Sequence, residues 1–202
     1  MKPLSEKVAI VTGAGQGIGK GIALCLAKRG VKVVATGRRL EPIEQTIKEI
    51  KEFGGEGFAM SCDSADRARV EEVVKATVEA YGTVDVVVNN GQAIVPSAPV
   101  EETSYDNMLK AWQSGVIGSL NYMQAAFPYM KEQHEGRIIN FASATGMFGI
   151  AGQLAYGSNK EALRGLTKIA ASVSTLFCQA LNLLLQKLGQ KNSRRNMQNR
   201  WN

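Results

Sequence analysis

The stretch 7–36 constrains this chain most. Residues 7–12 (KVAIVT) are a short apolar run rich in β-branched residues, stopped by Gly13. That composition predicts a buried strand. Residues 18–29 place Ile18, Ile22 and Leu26 at helical spacing and end before Gly30, which predicts a helix with a glycine C-cap. Residues 31–36 (VKVVAT) repeat the strand pattern. Strand, helix and strand in so few residues make a βαβ unit, whose two strands lie parallel.

The alternation continues. Residues 42–53 predict a helix with Ile43, Ile47 and Ile50 on one face and Pro42 near its first turn. Residues 57–62 predict a third strand, and 66–81 a helix ending at Gly82. Residues 84–89 (VDVVVN) predict a fourth strand, apolar along its length as an interior parallel strand is. Ser104 is placed to cap a long helix towards Met130, with Gly115, Gly118 and Pro128 as its weak points. Residues 137–142 (RIINFA) predict a fifth strand, and a further helix starts near Ala155. Strands alternating with helices predict an α/β fold with a doubly wound parallel sheet.

Between the first strand and its helix stands Thr12-Gly13-Ala14-Gly15-Gln16-Gly17-Ile18-Gly19. A glycine run in this context is a phosphate cradle. Gly13 permits the sharp turn, Gly17 lets backbone approach a pyrophosphate, and Gly19 allows close packing of helix on strand. Exposed N–H groups and the helix N-terminus favour the phosphate charge. A Rossmann-type dinucleotide site is therefore expected, formed by Gly13, Gly15, Gln16, Gly17, Ile18 and Gly19.

The spacing Gly13-x-x-x-Gly17-x-Gly19 is not the commoner dinucleotide fingerprint; it resembles that of the short-chain dehydrogenase/reductase family. The resemblance runs through residues 7–171, because later motifs fall in order. Asp63, after the third strand, resembles the family's adenine-contacting acid. Asn89-Asn90-Gly91 resembles the Asn-Asn-Ala-Gly turn after the fourth strand, with the Gly91-Gln92 pair departing slightly.

The second strand ends at Gly37, followed by Arg38 and Arg39. NAD enzymes place a carboxylate there for the ribose hydroxyls. An arginine offers a bidentate partner to a 2′-phosphate instead. NADP(H) is the expected cofactor, with NAD as the alternative if both arginines are only solvated charges.

Ser143, Tyr156 and Lys160 are the sharpest catalytic signal. Tyr156 and Lys160, at i and i+4, share a helix face, and Ser143 follows the fifth strand. Sites of open α/β sheets lie outside the carboxyl ends of the strands. This set resembles the family's catalytic triad. Reducing a ketone by hydride leaves an alkoxide that must take a proton. A phenol, with a pKa of about 10, is a poor base near neutrality, and an ammonium close by favours its phenolate. Tyr156 is the expected acid/base. Lys160 would tune it and, as the resemblance implies, bind the nicotinamide ribose. The Ser143 hydroxyl would hydrogen-bond the substrate oxygen.

Two departures from the family stand out. Its members carry an Asn in the central helix that holds a water in a proton relay; alignment on Gly118 and Pro128 puts Gly115 there. A triad is expected rather than a tetrad, and Asn121, one turn away, reads as polar surface. The second departure is larger. The family continues after the last helix with another strand, a Pro-Gly turn, a substrate lid and a final strand. Beyond Ala171 there is no proline and no β-branched run. The C-terminal strands are thus expected to be missing, and the chain divides into 1–171, dinucleotide-binding, and 172–202, an atypical extension.

In that extension Leu166, Ile169, Val173, Phe177, Ala180, Leu184 and Leu188 recur at helical spacing, so the last helix is expected to reach about Lys187. The residues after Gly189 are polar and basic and are expected to be disordered. Three readings compete: an extended helix that pairs with a second subunit, a basic arm for nucleic acid, and a frameshifted or truncated reading frame. The abrupt loss of pattern and of acidic residues favours the third.

Composition narrows the partners. The net charge of +6 is concentrated in 172–202, whose Lys187, Lys191, Arg194, Arg195 and Arg200 face no acid and supply +5 of it. Nucleic-acid binding is therefore disfavoured for the fold itself. Cys25, Cys62 and Cys178 are odd in number and far apart, and His134 is the sole histidine, so no metal is expected and a reducing cytoplasm is. No signal peptide or membrane span is read from the sequence. The expected partner is a small molecule with a hydroxyl or ketone. Ala93, Ile94, Val95, Met147, Phe148 and Ile150 suggest an apolar substrate wall. The resemblance implies a homo-oligomer. The leading function is hydride transfer between NADP(H) and a hydroxyl/carbonyl group. The alternative is a catalytically inactive dinucleotide-binding remnant or interaction module.

Overall fold

A computed structural model describes residues 2–173. The strands are β1 (Val8–Thr12), β2 (Lys32–Gly37), β3 (Gly57–Ser61), β4 (Val86–Asn89) and β5 (Arg137–Asn140). They form one parallel sheet in the order β3-β2-β1-β4-β5. The helices are α1 (Gly17–Ala27), α2 (Leu40–Glu52), α3 (Arg67–Tyr81), α4 (Tyr105–Trp112), α5 (Gly118–Glu132), α6 (Ala144–Phe148) and α7 (Leu154–Val173). The expected doubly wound α/β architecture is the observed one.

The period-two side-chain rule builds both faces of the sheet. Ala9, Val11, Val33, Ala35, Val86 and Val88 point to one side, where α1 and α2 cover them with Ala23, Ala27, Ile43, Ile47 and Ile50. Ile10, Val34, Val87 and Ile138 point to the other, against Val70, Val73 and Val74 of α3 and Tyr122, Met123, Ala126 and Met130 of α5. All five residues of β1 are buried, as the central strand requires.

The helix ends have local causes. After α1 the Gly30 N–H bonds the Ala27 carbonyl and the Val31 N–H bonds the Leu26 carbonyl, with Gly30 at φ +82°. This is a Schellman closure. Asp66 caps α3 by accepting the Arg69 N–H at 3.1 Å, and Gly82 ends it in the left-handed region. Ser104 caps α4 through the Asn107 N–H. The expected long central helix is three pieces, because a π segment, Gln113–Ile117, separates α4 from α5.

One expectation is corrected. Asn121 is not surface: it is 7% exposed, and its Nδ2 donates to the Ser64 carbonyl at 2.8 Å. It braces the loop after β3 from below. Of the apolar residues at helical spacing in α7, Ile169 is exposed and Leu166 packs on the core. The helical extension to Lys187, the polar tail and the 172–202 unit fall almost wholly outside the described residues. No strand follows β5 within them. No helix of the described residues is long and apolar enough to cross a membrane.

Candidate active site

The strand order reverses direction between β1 and β4, where the chain leaves β1 for β2 on one side and returns to β4 on the other. Such a switch point opens a crevice beyond the strand ends. A cleft of about 670 Å³ lies there, bordered by the ends of all five strands.

Its floor is the glycine loop. Gly13 and Gly17 have φ of +65° and +54°, the left-handed region that disfavours other residues. A Cβ on Gly19 would collide with the Gly13 carbonyl oxygen, whereas Gly17 faces open space on the cleft side. The loop is stapled to the next strand: the Thr12 hydroxyl accepts the N–H groups of Asn90 at 3.0 Å and Gly91 at 2.8 Å, and Asn90 Nδ2 donates to the Thr12 carbonyl at 3.1 Å. Sequence reasoning missed Thr12, whose type carries no signal until the strands are paired.

At one end of the cleft stand Gly37, Arg38 and Arg39. Both arginines are exposed, and Arg39 donates to the Gln16 amide oxygen at 3.1 Å. The Arg38 guanidinium makes no hydrogen bond or ion pair among the described residues. Asp63 lines the cleft, and its Oδ1 accepts the Ala65 N–H at 3.0 Å.

At the other end Tyr156 and Lys160 of α7 face Gln92, Ala93, Ser114, Phe141 and Ala142. Lys160 is 5% exposed; its Nζ donates to the Phe141 carbonyl at 2.5 Å and stands 5.7 Å from the Tyr156 ring centroid. Burial lowers its pKa to about 8. No ion pair or titratable hydrogen-bond partner faces it among the described residues.

Three expected site residues do not line the cleft. Gly19 lies beneath the loop. Asn89 is an interior brace, donating to Asn140 Oδ1 at 2.8 Å, and Asn140 in turn donates to the Thr167 hydroxyl of α7. Ser143 directly follows the cleft residue Ala142, and its Oγ caps α6 by accepting the Thr145 N–H at 3.2 Å. Gln92, which sequence reasoning noted only as a departure, lines the cleft with its amide oxygen and nitrogen both buried and without partners.

The arrangement fits an extended anionic dinucleotide. Open glycine backbone and a helix N-terminus meet at the centre, guanidinium groups stand at one end, and a phenol with a buried amine stands at the other.

Comparison with known proteins agrees. A family model described as short chain dehydrogenase matches residues 7–174. A 12alpha-hydroxysteroid dehydrogenase of Clostridium sp. is 36% identical over 173 residues, covering 82% of this chain and 66% of that protein. A 3beta-hydroxysteroid dehydrogenase of Mediterraneibacter gnavus is 35% identical over 190 residues, covering 90% of this chain and 66% of its own. The structure of an NAD+-bound xylitol dehydrogenase superposes with a TM-score of 0.81 at 32% identity, covering 84% of this chain and 65% of that one. The chain thus spans about two thirds of the length of these relatives.

Proposed function

The chain belongs to the short-chain dehydrogenase family, and on that footing we propose that it is an oxidoreductase that moves a hydride between NADP(H) and a hydroxyl or carbonyl group. The observation that carries this reading is the single cleft shared by the glycine loop and the Tyr156–Lys160 pair.

Gly13, Gly15, Gln16, Gly17 and Ile18 would hold the pyrophosphate, Asp63 the adenine end, and Asn90 and Gly91 the ribose side. A nicotinamide dinucleotide, when bound, supplies the hydride acceptor or donor. The chain's own residues handle the proton and the oxygen. The Tyr156 phenol gives its proton to the nascent alkoxide in reduction and takes it back in oxidation. The Lys160 ammonium, held by the Phe141 carbonyl, steadies the phenolate and bonds the nicotinamide ribose. The Ser143 hydroxyl donates to the substrate oxygen as its charge develops; its Oγ only accepts in the α6 cap, which leaves its proton free for that bond.

The preference for NADP(H) rests on Arg38 and Arg39, which stand where a carboxylate would repel a 2′-phosphate. The substrate body is proposed to be apolar. The 93–99 and 149–153 loops are clasped by the Ala98–Gln153 bridge and by Gln153 Nε2 on the Ser97 hydroxyl. Around them Ile94, Phe148 and Ile150 are exposed, an apolar surface of the kind that ligands cover. Two of the similar proteins are named hydroxysteroid dehydrogenases. A second copy of the chain would fit the α4 stripe of Tyr105, Leu109 and Trp112, all exposed at helical spacing. A reducing compartment suits the free thiols Cys25 and Cys62.

The test is absorbance at the reduced-nicotinamide band with a panel of hydrophobic ketones and alcohols. Turnover with NADPH supports the reading. Tight NADPH binding with no turnover across the panel would leave only the dinucleotide-binding module.

A further inference from the structure

Asn159, the residue before Lys160, has no exposed surface. It reaches from α7 into the π segment, where its Oδ1 accepts the Val116 N–H at 3.1 Å. The neighbouring Gly115 makes room for it: a Cβ there would overlap the Asn159 amide, lying 2.7 Å from its Cγ. A π segment carries about one residue more per turn than an α-helix, and such segments gather at functional sites. This segment also holds the cleft wall, since the Ser114 hydroxyl accepts the Ala93 N–H at 3.0 Å while donating to the Lys110 carbonyl.

We propose that Asn159 and Gly115 are a matched pair in which the Asn159 amide, seated in the space that Gly115 leaves, positions both Lys160 and the Ala93 wall of the cleft. Successive residues of a helix point about 100° apart. With Asn159 pegged into the π segment, α7 cannot turn about its axis, and Lys160 is delivered to the Phe141 carbonyl at the end of β5. The amide is not there for stability alone. Its Nδ2 is buried without a hydrogen-bond partner, a cost that an apolar filler would avoid. Asn159 is thus a positioning residue, and its importance to turnover rests on the proposed dehydrogenase reading.

The test is a four-member cycle in the full chain: wild type, Gly115→Ala, Asn159→Ala and the double variant. Melting temperature, NADPH affinity by fluorescence and the pH profile of turnover are read for each. Gly115→Ala should lower the melting temperature strongly on its own and only slightly in the Asn159→Ala background. Asn159→Ala should cut kcat at least tenfold with NADPH affinity within about threefold. The pH midpoint assigned to Lys160 should rise as the amine gains solvent. An Asn159→Ala variant with kcat within twofold and an unshifted midpoint would overturn the proposal, even if its melting temperature fell. So would Gly115→Ala costing as much in the double variant as alone. If the wild type turns over no substrate, the dehydrogenase reading fails. The matched pair is then still decided by the melting cycle and by the pH dependence of NADPH affinity, with an unshifted midpoint again overturning it.

Discussion

Lys160 donates its Nζ proton to the Phe141 carbonyl at 2.5 Å and stands 5.7 Å from the centre of the Tyr156 ring, one helical turn earlier. The end of β5 and the face of α7 are thereby tied at one amine. That amine is buried, and its ionisation links the stability of the fold to the chemistry proposed for the cleft.

Burial lowers the Lys160 pKa from 10.5 to about 8. Below about pH 8 both folded and unfolded chains carry the proton, and the folded state bears the cost of a buried ammonium. Between about 8 and 10.5 the unfolded chain keeps a proton that the folded chain has lost, so stability rises with pH. Replacing Lys160 by Met removes this dependence. The variant should exceed the wild type in stability at about pH 7, by at most about 3 kcal/mol, and the gap should close towards pH 10.5. Urea denaturation at several pH values checks both the sign and the window.

Arg38 and Arg39 predict the cofactor preference. A charge-assisted hydrogen bond contributes about 1.5–3 kcal/mol. Arg38→Ala should therefore weaken NADPH at least tenfold and leave NADH within about threefold. Arg39→Ala should do less, because that guanidinium already bonds Gln16. Fluorescence titration with both cofactors decides it.

The glycine loop predicts an order of damage. Gly19→Ala drives a methyl into the Gly13 carbonyl, which is backbone and cannot move aside without unmaking the turn. Gly17→Ala meets open space and bears only the strain of a positive φ, about 1–2 kcal/mol. Gly19→Ala should lower the melting temperature more, and both should weaken NADPH. Thermal denaturation with and without cofactor separates the two effects.

Asn121→Ala should cost about 1–3 kcal/mol, the range for leaving a buried hydrogen-bond partner unpaired. The Ser64 carbonyl loses its donor, and the loop that carries Asp63 loosens with it. Chemical denaturation reads the first effect and NADPH affinity the second.

Much of this was legible in the sequence because it is local. Apolar β-branched runs gave the five strands in order, and the glycine loop announced itself by lying between a strand and a helix. Val84 and Asp85 read as strand, yet β4 begins at Val86, because the Asp85 carboxylate instead accepts the Val8 N–H. What could not be read depends on residues distant in the chain. Asn121 serves a carbonyl 57 positions away, and Thr12 staples a strand 78 positions away. Asn159 carries no signal inside the Tyr156–Lys160 spacing, since only its depth against Gly115 gives it a role. Ser143 follows β5 but does not line the cleft, because its side chain turns to cap α6, a matter of direction that sequence does not carry.

Tyr156→Phe tests the central claim most directly, because it removes one oxygen and little else. With saturating NADPH and an accepted carbonyl substrate, the account predicts a loss of turnover on the order of 10²–10⁴ with NADPH affinity unchanged. A variant that oxidises NADPH at the wild-type rate would contradict it.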